Sequence, residues 1–512
     1  MASNNKRIAI NMVAQIVSFV VNLVINFLLT PYVTAKVGKN IYGFVNMAFQ
    51  TTGYVTVFTT ALNAMVGRYI TINLSKKDYK NANMYFSSVI VANGIISALL
   101  VGPFVFVILY LERLLDVPVG YVNDVKLLWA FIFAGFLISL VTQCYGLATY
   151  ASNRLDLSAK RSMENNLLKA LVLGSCFLFL VPKLWYIGMA NFVCTFYVVV
   201  TNIYYTRRLT PELRFDKRMV KFQAVKELVS VGIWNSVQQL STILINGCDM
   251  LISNLFIDAS AMTLMGYAKT IPGYIMTLIG MVAGAFSPQM TILYGKGDIE
   301  AFVKQTKSAI KVCGFMCSVP ILGFITFGTD FFTLWLYALN EKEVSIVQIL
   351  SVLILLQTIF DVYIYPLYSV NTITAKLKLP VFVSLGIGVL NIIGSVVLCK
   401  YTNLGIFAIQ IVSSVLLTAR VFFFAPIYAA HLLKVKWYTF YGPLFRGMVS
   451  TAVVLVVFGI YRHFVPVKSW LALFISAIIC GVIGYLINYC IVLNSKERQM
   501  VKDKVLSKLN KK

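Results

Sequence analysis

A few charged side chains lie inside long apolar segments, where charge is energetically costly. They are Asp249, Asp361, Lys169, Lys269 and Arg420. Ionisable residues inside membrane-spanning helices usually face the protein interior or a water-filled cavity. The carboxylates could bind a coupling cation. A cavity lined by Lys and Arg would suit an anionic cargo such as a phosphate or diphosphate.

Each of these assignments has a structural alternative. Asp249 could be a hydrogen-bonded carboxylate that joins two helices, and Lys169 and Lys269 could extend to the membrane surface. Arg420 lies deeper in its segment LLTARVFFF, so the second explanation suits it less. Arg68, in the segment GRYITI, is predicted either to bind a diphosphate or lipid headgroups at the cytoplasmic entrance or to be an ordinary cytoplasmic anchor.

Polar side chains recur along the apolar run 229–256 at alternating steps of three and four residues. At about 3.6 residues per turn, this spacing places them on one face of a helix. Lipid cannot satisfy polar groups, so this face is predicted to turn toward protein or water. Its members are Asn235, Gln239, Thr242, Asn246, Asp249 and Ser253.

A similar polar face is present in the first apolar segment. At one common offset, the polar residues that match Asn235, Gln239, Thr242 and Asn246 are Asn11, Gln15, Ser18 and Asn22. Further along, TINLSKKD (71–78) matches TILYGKGD (291–298). We therefore predict two repeated six-helix halves, related by an axis along the membrane normal. Alternatively, the amides of the first helix simply join it to its neighbours.

The repeat also singles out one carboxylate. The match between the two polar faces stops at Asp249, because the residue at the same offset in the first half is Ile25. This difference makes Asp249 the first candidate for ion coupling.

The composition is that of an integral membrane protein. Of the 512 residues, 59% are hydrophobic and 12% are charged, with a mean hydropathy of +0.81. Soluble domains carry about 25% charged residues. The formal net charge of +25 could indicate nucleic-acid binding. However, Lys and Arg lie in loops between apolar segments, as membrane topology requires, so no nucleic-acid partner is predicted.

The apolar segments predict an all-α integral membrane fold with about 14 transmembrane helices. Lys and Arg are concentrated in every second loop, which predicts that both termini are cytoplasmic. We predict two six-helix bundles, a basic cytoplasmic linker, two further helices and a basic cytoplasmic tail. In chain order, these parts are 1–206 (first bundle), 207–226 (linker), 227–432 (second bundle), 433–493 (further helices) and 494–512 (tail).

The sequence lacks the common enzyme motifs. It contains no Walker loop, no GxSxG and no His/Cys cluster with metal-ligand spacing. The longest loop has about 20 residues, which leaves no room for a sizeable domain outside the membrane. We therefore predict neither catalysis, nor a metal, nor another cofactor.

Three stretches carry a family resemblance. They are NMVAQIVSFVVNLVINFLLTPYVTAKVGKNIYGFV (11–45), LNAMVGRYITINLSKKDYKNANMYFSSV (62–89) and DMLISNLFIDASAMTLMGYAKTI (249–271). With them, the chain resembles Wzx-type flippases of the polysaccharide transporter family. That family belongs to the superfamily of multidrug/oligosaccharidyl-lipid/polysaccharide exporters.

The resemblance implies a MATE-like fold around a central cavity. It also implies alternating-access translocation of undecaprenyl-diphosphate-linked oligosaccharide across the bacterial cytoplasmic membrane, for O-antigen (lipopolysaccharide) or capsule assembly. Membrane lipids, a polysaccharide polymerase and chain-length machinery are the implied partners. Family members have cationic cavities, and Lys269 and Arg420 match this pattern by depth and helix.

Three other functions stay open. Two belong to the same superfamily, namely cation-coupled export of small molecules such as drugs and flipping of lipid II, and a membrane polysaccharide polymerase is more distant. Related drug exporters often carry an acidic residue in the first helix, where this chain has Asn22 and Asn26. This difference weakens the drug-exporter hypothesis.

Overall fold

The computed structural model describes residues 2–118, 120–152, 154–374, 376–493 and 498–499. All regular secondary structure in these residues is helical. Contacts divide the chain into two compact units. The first comprises the chain as far as Thr263 together with Ser384–Val389, and the second comprises Leu264–Val383 and the described residues from Leu390 onward.

Ten helices belong to the first unit. They are α1 (Ala2–Val37), α2 (Lys39–Ser75), α3 (Tyr79–Leu109), α4 (Leu111–Leu114), α5 (Val122–Thr142), α6 (Leu147–Ala151), α7 (Leu155–Phe179), α8 (Trp185–Leu209), α9 (Phe222–Thr242) and α10 (Asp249–Phe256). A π-helical segment, Ile243–Gly247, joins α9 to α10. Within this unit, α1 packs on α7, α2 on α9, and α5 on α8.

Small residues allow α2 and α9 to approach closely. A Cβ atom at Gly232 would lie only 2.7 Å from the carbonyl carbon of Ala61. One turn later, the Ser236 hydroxyl accepts a hydrogen bond from the Ala61 N–H at 2.9 Å and donates one to the Val57 carbonyl at 2.5 Å. Small residues at such spacing are typical of helix contacts in membranes. The first unit therefore continues past the basic linker 207–226, because α9 packs on α2.

Nine helices belong mainly to the second unit, with a second π-helical segment, Arg420–Phe424, between α16 and α17. They are α11 (Ala259–Gly284), α12 (Ser287–Gly295), α13 (Ile299–Trp335), α14 (Glu341–Ile373), α15 (Lys378–Tyr401), α16 (Ile406–Ala419), α17 (Ala425–Leu432), α18 (Tyr441–Phe464) and α19 (Trp470–Ile491).

The two C-terminal helices, α18 and α19, pack into the core of the second unit. The Asn488 amide of α19 donates to the Ser318 hydroxyl and to the Phe315 carbonyl of α13, both at 3.0 Å. It also accepts a hydrogen bond from Ser450 of α18 at 2.7 Å. A buried asparagine with its polar atoms satisfied in this way stabilises the packing of three membrane helices.

The predicted all-α integral membrane fold is confirmed. Among the described residues, 11 helices are long and apolar enough to cross a membrane, or 12 if the bent pair Ala259–Gly284 and Gln289–Gly295 is one span. The helices α2 and α7 are also long enough but more polar. The expected number of about 14 is therefore reached only when these two polar helices are counted as well.

Two turns with matching sequences also have the same local structure. Lys77 and Gly297 each adopt a positive φ, of 58° and 75° respectively. The aspartate that follows each of them caps the next helix. Asp78 accepts a hydrogen bond from the Asn81 N–H at 3.1 Å, and Asp298 accepts one from the Ala301 N–H at 2.9 Å. This agreement supports the predicted internal repeat.

Candidate functional site

Arg420 lies in a cluster of polar side chains in the second unit. It starts the π-helical segment Arg420–Phe424, and its guanidinium donates a hydrogen bond to the Tyr368 hydroxyl of α14 at 2.9 Å. The same guanidinium lies over the Tyr368 ring, 5.4 Å from its centroid. The Tyr368 hydroxyl in turn donates to the Asp361 carboxylate at 2.7 Å. The phenol therefore connects a cation to a carboxylate.

This cluster joins two residues that the sequence suggested separately, Arg420 and Asp361. Sequence reasoning missed Tyr368, which links them. Asp361 and Tyr368 lie seven residues apart, which places them on the same face of α14, two turns apart. This spacing could have indicated from the sequence that the two side chains are neighbours. Because Asp361 partly offsets the positive charge, the local field is less cationic than Arg420 alone would make it.

Lys269 also lies in the second unit, half-buried on α11. The carbonyl of its neighbour Ala268 accepts a hydrogen bond from the Ser351 hydroxyl of α14 at 2.9 Å. Pro272 lies inside the same helix, one turn further on. The role of Lys269 in cargo binding stays a prediction.

Asp249 lies in the first unit and is 2% exposed. It begins α10, directly after the π-helical segment Ile243–Gly247 and Cys248. Close by, the Tyr54 hydroxyl of α2 donates a hydrogen bond to the Gly247 carbonyl at 2.6 Å. The buried carboxylate is compatible with both sequence hypotheses, ion coupling and a structural link between helices.

The single polar face predicted for residues 235–253 does not persist along the whole stretch. A π-helical turn contains extra residues, so it shifts the side chains that follow it relative to those before it. Accordingly, Asn246 is exposed, whereas Asp249 and Ser253 are buried. The expectation of one continuous face was therefore wrong beyond Thr242, because it assumed regular α-helical spacing.

The earlier part of this face contacts α2. Asn235 and Gln239 are half-buried on α9, and the Gln239 amide donates to the Thr56 hydroxyl at 3.3 Å. In the π-helical segment, the Asn246 carbonyl accepts a hydrogen bond from the Gln50 amide at 3.3 Å. These contacts hold α9 and the segment after it against α2.

The matching face of α1 packs against α7. Gln15 donates to the Leu155 carbonyl at 3.3 Å, and the Asn22 amide donates to the Asn166 side chain at 3.2 Å. The side chain of Asn11 lies outside the described residues. These hydrogen bonds favour the alternative in which amides of the first helix join it to a neighbour.

The two remaining predicted cations are also in the first unit. Lys169 is half-buried on α7, near Cys194 of α8. Arg68 is exposed on α2, next to Tyr69. Their proposed contacts with cargo or lipid stay predictions.

A polar cavity of about 220 Å³ lies between α5, α7 and α8 of the first unit. No charged side chain is among its described lining residues, which are Ser139, Thr142, Gln143, Asn165, Asn191, Cys194, Thr195, Val198, Val199 and Asn202. This cavity was not predicted from the sequence. The polar residues of α8 that line it, Asn191, Thr195 and Asn202, recur at helical spacing, which was the available signal.

Arg161 adjoins this cavity. Its guanidinium donates hydrogen bonds to the Asn202 side chain and, at 3.1 Å, to the Ser158 hydroxyl. The described residues contain no group of three His, Cys, Asp or Glu side chains placed to hold a metal ion. The amides and hydroxyls that line the cavity can both donate and accept hydrogen bonds, and Arg161 adds a cation beside them.

Comparison with known proteins gives the class of the molecule. Residues 6–293 match the polysaccharide biosynthesis protein family, and the chain belongs to that family. The chain is similar to EpsK of Bacillus subtilis (strain 168), described as an uncharacterized membrane protein. The two are 25% identical over 495 residues, which cover 97% of each chain.

Solved structures of two kinds of membrane transporter share the fold. The chain resembles the lipid II flippase MurJ in its inward closed conformation, with a TM-score of 0.65 and 15% identity, over 93% of this chain and 97% of that one. It also resembles an inward-facing multidrug resistance MATE family transporter of the MOP superfamily, with a TM-score of 0.62 and 17% identity, over 82% and 99% of the two chains. The predicted MATE-like fold is confirmed. The protein is therefore a multi-pass membrane protein of a polysaccharide biosynthesis family.

Proposed function

We propose that the protein flips an undecaprenyl-diphosphate-linked oligosaccharide across the bacterial cytoplasmic membrane for O-antigen or capsule assembly. The Arg420–Tyr368–Asp361 cluster carries this proposal. A guanidinium inside a membrane helix can bind two oxygens of a diphosphate at once, which a neutral side chain cannot do. Family membership supports a glycan as the group attached to the lipid.

The arrangement of the cluster also provides for release. In the absence of cargo, the Arg420 guanidinium is held by the Tyr368 hydroxyl, and Asp361 supplies a nearby negative charge. An arriving diphosphate competes for the guanidinium, and Tyr368 takes its place again when the cargo leaves. A transporter needs such a return partner, because a cation that binds the anion too tightly would retain it.

The glycan needs a different environment from the diphosphate. Sugars are neutral and rich in hydroxyl groups, which both donate and accept hydrogen bonds. The cavity between α5, α7 and α8 is lined by amides and hydroxyls with the same property. We assign it to a sugar of the cargo, while the lipid tail stays in the bilayer. Transport proceeds by alternating access, with both termini in the cytoplasm.

The test is flipping of a polyprenyl-diphosphate-linked oligosaccharide by purified protein in liposomes, together with display of surface glycan in cells. Arg420→Ala is expected to lower the initial rate about 10- to 100-fold, since a hydrogen bond to a charged group contributes about 1.5–3 kcal/mol. Arg420→Lys keeps the charge but loses the planar guanidinium, which can bind two oxygens at once. Its initial flipping rate should therefore lie between that of the unchanged protein and that of Arg420→Ala. Lys269→Ala should also reduce the rate.

Arg446→Ala is the matched control, because Arg446 is exposed on α18 and its change removes the same charge. All variants must be present in the membrane at equal amounts. Transport by Arg420→Ala and Lys269→Ala at the rate of Arg446→Ala would refute the assignment of the cations.

The runner-up functions are lipid II flipping and cation-coupled drug export, because MurJ and MATE transporters share the fold. Lipid II carries the same lipid diphosphate with a different glycan. Equal flipping of lipid II and of the oligosaccharide would show that the glycan is not recognised. Drug sensitivity that rises on deletion of the gene, with surface glycan unchanged, would favour the exporter, with Asp249 as its coupling carboxylate.

A further inference from the structure

Residues 210–221, here called the linker strap, connect the ends of α8 and α9 and are fixed to the start of α3. The Asn83 side chain accepts a hydrogen bond from the Arg214 N–H at 2.8 Å and donates one to the Glu212 carbonyl at 2.9 Å. An amide that forms both bonds at once holds the backbone of the linker strap in one register.

Two serines of α3 continue this attachment. The Ser87 hydroxyl accepts a hydrogen bond from the Asp216 N–H at 3.0 Å, and the Ser88 hydroxyl accepts one from the Lys221 N–H at 2.9 Å. Leu213 is 6% exposed and belongs to the hydrophobic core at this end of the first unit. One side of the linker strap is therefore fixed against α3 and the hydrophobic core, and the other side faces away from the first unit.

The outer side of the linker strap and its flanks combine positive charge with exposed aromatic rings. Phe215 is 40% exposed and Phe222, which begins α9, is 80% exposed. The exposed basic residues are Arg207, Arg208, Arg214, Lys217, Arg218 and Lys221. The linker strap contains two acidic residues. Glu212 is exposed, and Asp216 is half-buried and accepts a hydrogen bond from the Arg218 N–H at 2.9 Å, so the basic residues outnumber them on the outer side.

The position of the linker strap identifies the surface that it meets. It joins two membrane-spanning helices directly, since one candidate span ends at Leu209 and the next begins at Phe222. The segment therefore lies at the level of one membrane face. Aromatic rings and basic side chains are typical of that level, where the rings enter the headgroup region and the cations meet lipid phosphates.

We infer that the linker strap is a preformed docking surface for anionic phospholipids. The charge distribution predicts that this face is cytoplasmic, where anionic lipids attract basic segments. Since α3 holds the backbone in place, lipid binding does not have to order the segment first. This site shares no residue with the Arg420 cluster, and the inference does not depend on the identity of the cargo.

The test measures how much lipid the full-length protein retains in detergent during titration with phosphatidylglycerol or with phosphatidylcholine. We expect preferential retention of phosphatidylglycerol, weakened by salt because exposed charges are screened. The triple variant K217Q/R218Q/K221Q should lose at least about tenfold in apparent affinity, since each charge near an anionic surface contributes roughly fivefold. The variant F222S should also weaken retention.

The matched control is K342Q/K400Q/K468Q, which removes three exposed lysines, two at helix ends and one in a loop, all predicted to lie on the opposite side. F464S, at a residue that is 76% exposed, is the control for the aromatic change. The controls should bind phosphatidylglycerol like the unchanged protein. Equal retention of the two lipids, or equal losses in the test and control triples, would overturn the inference.

The role of the α3 attachment is tested separately with S87A/S88A, which keeps every charge of the linker strap. This variant should bind phosphatidylglycerol more weakly than the unchanged protein, and hydrogen exchange of residues 210–221 should be faster. Unchanged affinity with faster exchange would refute the preformed geometry.

Discussion

Replacing Gly232 by alanine should separate α2 from α9. A Cβ atom there would lie 2.7 Å from the carbonyl carbon of Ala61 and 3.0 Å from its Cα. These are backbone atoms, so one helix must move. Overpacking costs about 1–3 kcal/mol. The shift also strains the two hydrogen bonds of Ser236, each contributing about 1 kcal/mol. Better helix propensity returns about 1 kcal/mol, which leaves a loss of about 2–4 kcal/mol if both hydrogen bonds are lost.

The assay is thermal or denaturant unfolding of the purified protein in detergent. Gly174→Ala on α7 is the matched control, because a Cβ atom there meets nothing within 4 Å. The control should be neutral or stabilised by about 0.4–1 kcal/mol, since alanine restricts the unfolded chain. If Gly232→Ala were as stable as Gly174→Ala, the close contact between α2 and α9 would be refuted.

Two further predictions concern hydrogen bonds to carboxylates. Tyr368→Phe removes the link between Arg420 and Asp361 and should lower the free energy of unfolding by about 2–4 kcal/mol. The control is Tyr365→Phe, because Tyr365 is also a half-buried tyrosine of α14; an equal effect of the two changes would contradict the prediction. At the cap of α3, hydrogen bonds hold the pKa of Asp78 below its ordinary value of 3.8. The stabilising effect is complete above that value and is lost as the pH falls through the lower folded pKa. The difference in melting temperature between Asp78→Ala and the unchanged protein should therefore shrink at about pH 2.5 compared with pH 7.

Hydropathy predicted the fold class well because a membrane span requires a long apolar segment with its backbone satisfied internally. The helices α2 and α7 show where hydropathy fails. Both are long enough to cross a membrane, but they are too polar to be recognised as membrane spans from hydropathy alone. The helix α7 (Leu155–Phe179) begins with charged residues. On the face that it turns toward α1, its Asn166 side chain accepts a hydrogen bond from Asn22. Helices that bury polar side chains against other helices are less apolar than those that face lipid on most sides, so composition alone undercounts them.

The candidate site was only partly accessible from the sequence. Arg420 stood out because a charge deep in an apolar segment is rare. Tyr368 did not stand out, since a tyrosine in a membrane helix is most often an interfacial or packing residue. Its role depends on which helix lies opposite, and periodicity within one helix contains no information about that neighbour. The cavity between α5, α7 and α8 was missed for the same reason.

The π-helical segments explain where periodic reasoning failed and why that failure matters for function. Asp249 follows Ile243–Gly247, and Arg420 begins the other such segment, Arg420–Phe424. A π-helical turn widens the backbone and changes the direction of the side chains after it, and such turns are frequent at functional sites. Sequence periodicity assumes an unbroken α-helix, so it assigns a wrong direction to residues beyond the turn. Both charged candidates lie at these irregular turns, in helices that would otherwise be regular. Their direction is therefore set by local backbone geometry that hydrophobic spacing does not encode.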